Sequence, residues 1–132
     1  MRAVEYAFYK KLAGESVATA EEKVTEALKK EGFGVLTRID VKATFKKKLD
    51  VDFKPYVILG ACNPTIAHQA LTHDDTVGLL LPCNVVVAES EEGAEVAIVN
   101  PHAMFQAVDR PDMEPIVNEA EGRLKRVFES LS

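Results

Sequence analysis

The chain has 132 residues, 47% hydrophobic and 28% charged, which suits one packed domain spanning residues 1–132 and excludes a disordered polymer. Its net charge of −5 argues against general nucleic-acid binding, which relies on clustered Lys and Arg to neutralise phosphates. The start, Met1-Arg2-Ala3-Val4-Glu5, lacks the long apolar stretch of a secretory signal, and the most apolar segment, residues 77–88, is too short to span a bilayer.

These features predict a soluble cytoplasmic protein with neither nucleic acid nor membrane as a partner. In a reducing compartment its two cysteines are expected as free thiols rather than as a disulfide.

In chain order, Val4, Tyr6 and Phe8 alternate with Glu5, Ala7 and Tyr9 at the period of a half-buried strand. Val17, Ala20, Val24, Ala27 and Leu28 then share one helical face, with Ser16 as the N-cap and Gly32 suited to the left-handed residue past the end. A capping box of Thr19 and Glu22 would start that helix a turn later. Phe33, Val35, Thr37, Ile39 and Val41 restore period two and predict a second strand. Residues 41–50 read as a short helix that holds Phe45 and Leu49 four apart and has a basic outer face of Lys42, Lys46, Lys47 and Lys48. That lysine run is the solvated side of a helix, or a holder for an acidic ligand.

Residues 56–61 form a continuous apolar run of strand length, predicting burial on both faces. Pro64 opens a helix whose inner face is Ile66, Ala67, Ala70 and Leu71. Residues 79–88 predict a further strand, in which Pro82 marks an edge, a bulge or the true start. Glu91-Glu92-Gly93 reads as a hairpin turn into a strand over residues 95–99, and residues 101–108 as a helical turn. The last helix carries the stripe Met113, Ile116, Val117, Ala120, Leu124, Val127, Phe128 and Leu131, with Asp112 as its cap. The predicted fold class is α+β: about five strands in one sheet, two longer helices on one face, and short connecting helices.

Two Cys-Asn dipeptides, Cys62-Asn63 and Cys83-Asn84, each follow an apolar run, and they hold both cysteines of the chain. Asn63 is a good N-cap and Pro64 suits the first helical position, so Cys62 sits beside the positive end of a helix. Unpaired N–H groups there favour a thiolate, the form that attacks electrophiles and binds metals. This makes Cys62 the candidate reactive group; the plainer alternative is a small buried hydrophobe. Cys83 points with Leu81, Val85 and Val87, toward the core, and Asn84 to the other side with Val86. The helix between them is a crossover that can make the two strands neighbours.

Cys62, Asn63, Cys83 and Asn84 would then form one polar pocket for a small molecule or a soft metal ion, with no resident cofactor. The rival readings are a thiol enzyme with Cys62 as nucleophile, a Cys62/Cys83 redox pair, and a purely structural homodimer. His68, His73 and His102 lack metal-ligand spacing to either cysteine, and only His68 or His102 could serve a nucleophilic Cys62 as base. Gly60-Ala61-Cys62-Asn63-Pro64 matches a nucleophile elbow weakly, since the second glycine is missing.

Several blocks together resemble the family catalogued as domain of unknown function 302. They are Gly32-Phe33-Gly34-Val35-Leu36-Thr37 with Ile39-Asp40-Val41, Lys48-Leu49, Tyr56, Ile58-Leu59-Gly60-Ala61-Cys62-Asn63-Pro64, and Leu79-Leu80-Leu81-Pro82-Cys83-Asn84-Val85. The match runs over residues 17–104. It implies a compact α+β domain, a small stand-alone bacterial or archaeal protein able to dimerise, and it assigns no reaction. One departure is Asp50, where that family often has Gly.

Overall fold

A single antiparallel sheet organises the computed structural model, which describes residues 1–132. Its strands are β1 (Ala7–Ala13), β2 (Gly34–Asp40), β3 (Tyr56–Cys62), β4 (Cys83–Ser90) and β5 (Gly93–Val99), in the spatial order β1-β5-β4-β3-β2. Helices α1 (Val17–Lys30) and α5 (Glu114–Ser130) cover one face. Between strands lie α2 (Val41–Leu49) and α3 (Pro64–His73), and α4 (Pro101–Met104) follows β5. This is the α+β architecture the periodicities predict.

Alternation decides what meets the helices. Val57, Leu59, Val85, Val87, Val96 and Ile98 point to one side and pack with Val24, Leu28, Leu124 and Val127. The other side carries Tyr9, Ile58, Val86 and Ala97 in cross-strand register, and no helix lies over their middle. The expected burial of residues 56–61 on both faces is therefore half right: Val57, Leu59 and Ala61 are buried, while Tyr56 and Ile58 are only partly covered.

Local chemistry sets the helix ends. Ser16 Oγ accepts the Thr19 N–H at 3.1 Å, so α1 starts at the earlier of its two candidate caps. Gly32 follows α1 with φ +83°, as its place in the sequence requires. Asp50 sits at φ 52° just past α2, the left-handed position where glycine is easiest. Its backbone N–H donates to the Lys46 carbonyl at 3.1 Å, and Lys46 Nζ lies 3.0 Å from its carboxylate.

Four expectations are corrected. The first strand begins at Ala7 rather than Val4, because its partner β5 ends at Val99 opposite Ala7. The strand expected from residue 79 begins at Cys83, so Pro82 marks its true start, one of the offered readings, while residues 75–80 form a 3-10 turn that leaves Leu79 exposed. Asp112 does not cap α5; it pairs with Arg110 at 2.9 Å, and a 3-10 turn, Pro111–Met113, leads into the helix. Finally, β3 and β4 are neighbours as expected, but antiparallel, so the segment holding α3 turns the chain back instead of crossing over.

Candidate functional site

The end of the β3–β4 pair brings the two cysteine blocks together. Ala61 stands opposite Cys83 in the register, so Cys62, one residue on, lies diagonally across from Cys83 at the rim of the sheet. β3 stops there because Asn63 caps α3: its Oδ1 accepts the Ile66 N–H at 3.1 Å, and Pro64 takes the first helical position. Asn63 Nδ2 also donates to the Glu31 carbonyl at 3.4 Å, and Arg123 Nη1 donates to the same oxygen at 3.1 Å. The end of α1, the start of α3 and the middle of α5 thus meet at one carbonyl.

Behind this junction lies a cavity of about 40 Å3. Both Cys62 and Cys83 line it, with Phe33, Pro82, Phe105 and Val117 among its walls. The volume holds an ion or a few atoms and no ordinary metabolite. Almost all of the lining is apolar, which corrects the expectation of a polar pocket.

The two asparagines explain that correction. Asn63 reaches the cavity wall, yet its amide is engaged in capping and in the bond to Glu31. Asn84 is exposed and takes no part in the lining, because β4 alternation sends it to the face opposite Cys83. Of the four residues picked out in the sequence, three line the cavity and two offer free chemistry, Cys62 and Cys83.

The thiols differ in setting. Both are free; Cys83 is buried in the core and Cys62 is half-buried. Burial pushes the Cys83 thiol up from 9.0 to about 11, and charge on Cys62 adds to the rise. No histidine lines the cavity. His102 lies on α4 against Glu121, His73 Nε2 is 4.0 Å from Asp112, and His68 is exposed. Neither His68 nor His102 is among the cavity's neighbours as a base for Cys62 would be. No cluster of three or more His, Cys, Asp or Glu capable of holding a metal occurs anywhere in the chain.

Sequence reasoning missed the far wall. Phe105 comes from the turn after α4 and Ile116, Val117 and Ala120 from α5; in the sequence the first read only as part of a helical turn and the others only as a core stripe. It also missed Glu95, a fully buried carboxylate on the helix-free face. Tyr9 Oη donates to it at 2.6 Å and the Met1 ammonium at 2.7 Å. Its one legible signal is a charge within an apolar strand.

Residues 9–131 match the model of the family described as domain of unknown function DUF302. The chain belongs to the DUF302 family. The crystal structure of an uncharacterized conserved DUF302 protein from Bacillus stearothermophilus superposes with a TM-score of 0.86 at 28% identity, over 96% of this chain and 98% of that one. No curated protein matches significantly. The DUF302 match extends the blocks read from the sequence to β1 and to the whole of α5, whose residues close the cavity.

Proposed function

We propose that the chain is a small binding or sensing module whose site is the cavity beside Cys62 and Cys83, and whose occupant is a soft, two-coordinate metal ion such as Cu(I). The observation that carries this reading is that Cys62 and Cys83 both line one small apolar cavity. Soft thiolate ligands select soft ions. Two sulfurs without a third protein donor suit a linear ion better than tetrahedral zinc, which takes three or four. The volume speaks against a metabolite, and the apolar walls speak against a hydrated hard cation.

Binding would displace the thiol protons, and the Cys83 proton is held tightly at neutral pH. Affinity is therefore expected to rise with pH, up to about tenfold per unit for each proton released. The test is an anaerobic Cu(I) titration against a chromophoric chelator, with the bound stoichiometry read by native mass spectrometry. The parent should take one ion, Cys62→Ser and Cys83→Ser should each lose it, and Asn84→Ala should bind like the parent. Competition by the parent no stronger than that of the double serine variant ends the metal reading. A mass lower by two hydrogens after mild oxidation would favour the redox pair instead.

A further inference from the structure

The lysine-rich helix α2 and the turn after it form a surface feature that the cavity does not use. Four of its nine residues are lysines, Lys42, Lys46, Lys47 and Lys48, and none is acidic. Just beyond, Leu49, Val51 and Phe53 are 65%, 44% and 37% exposed. These apolar side chains are held out by an ordered scaffold. Lys42 Nζ donates to the Phe53 carbonyl at 3.0 Å, and the Phe53 ring packs edge-on to Phe45 at 5.1 Å and against Tyr56 at 6.0 Å. The acidic residues of the turn face Lys46, whose Nζ is 3.0 Å from Asp50 and 3.7 Å from Asp52. Lys47 and Lys48 have no acidic partner.

Lysines in a last helical turn offset the helix dipole, which accounts for their sign. It does not account for leucine and valine presented to water beside them. We propose that this tip docks the protein on anionic lipid bilayers, with Leu49 and Val51 entering the interface and Lys47 and Lys48 meeting the headgroups. Charge complementarity chooses the occupant. The chain as a whole carries −5 and is repelled by such a surface, so contact is favoured where unpaired lysines cluster around apolar groups. The small size of the patch agrees: the exposed side chains Leu49, Val51 and Phe53 cannot by themselves supply the roughly 800 Å2 a side of a stable protein interface, but they can dip into a bilayer. Contact of this kind is peripheral, since no helix is long and apolar enough to cross a membrane. The proposal departs from the expectation that membranes play no part.

Co-sedimentation with extruded vesicles tests it. Vesicles of phosphatidylcholine with phosphatidylglycerol should carry the parent down, phosphatidylcholine alone should not, and high salt should weaken the binding. Lys47→Glu with Lys48→Glu should lower partitioning more than about tenfold. Leu49→Ser with Val51→Ser, at exposed sites that leave the core intact, should lower it with the charge unchanged. No sedimentation with anionic vesicles at low salt overturns the proposal. So does a Leu49→Ser/Val51→Ser variant that binds like the parent, or equal capture of the parent by polyglutamate beads, which would assign the tip to acidic polypeptides.

Discussion

Gly60 sits within the first cysteine block, Ile58 to Pro64, for a steric reason. A Cβ built there would fall on Thr37 Oγ1 of the adjoining strand and lie 2.7 Å from Pro82 Cγ. Three segments of the family blocks therefore close on one missing side chain, and the Pro82 ring that fills the space is also a wall of the cavity. Gly60→Ala must push Thr37 or Pro82 aside, an overpacking that costs roughly 1–3 kcal/mol. Gly34, at the start of β2, has nothing within 4 Å of such a Cβ, so Gly34→Ala is the matched control. Urea midpoints should separate the two variants clearly. If they unfold together, the close approach at Gly60 is not what its glycine serves.

Elements were legible wherever one local rule decided them. Ser16, Gly32 and Asn63 each sit where cap preferences put them, and the α5 stripe buries Val117, Ala120, Leu124 and Val127 as its spacing demands. What failed was set by distant chain. Nothing near Val4 marks where β1 must begin, because that is fixed by pairing with β5; the Asp112 cap is the exception, lost to Arg110 only two residues before it. For the site, the cysteines were legible and the apolar far wall was not, since Phe105 and Val117 reach it only through tertiary packing. The α3 cap is the element on which the site rests. Asn63→Ala removes the acceptor for the Ile66 N–H and the donor to Glu31, at a cost of about 1 kcal/mol. Hydrogen exchange at Ile66 should accelerate while amides in β4 keep their protection. An unchanged Ile66 rate would mean that Pro64 and packing alone hold the helix start.

At the scale of the molecule, a buried thiol and a half-buried phenol on opposite faces of one sheet tie stability to alkaline pH. Burial, aided by the hydrogen bond to Glu95 and by its charge, pushes Tyr9 from 10.0 to about 12. Burial likewise lifts Cys83 from 9.0 to about 11. In both the folded state favours the protonated, neutral form, so the unfolded chain gives up its proton first as pH rises. Their contributions are complete below pH 9.0 for Cys83 and 10.0 for Tyr9, and are lost as pH climbs through about 11 and about 12. At Glu95 the sense reverses. Burial works to raise its carboxyl, but hydrogen bonds from the Met1 ammonium and Tyr9 outweigh this and hold it below the usual range. Its contribution is therefore present above the ordinary carboxylate pKa and is lost as pH falls through the folded value. Urea midpoints measured across pH separate the groups. Cys83→Ala should flatten the alkaline decline between pH 9.0 and 11 but leave the later decline. Tyr9→Phe should flatten the decline from 10.0 to 12, while costing about 1–3 kcal/mol at neutral pH because Glu95 loses a donor. Because one group lines the cavity and the other lies across the sheet, the double variant should show the sum of the two effects. An alkaline limb identical in parent and variants would mean that neither proton is held by the fold.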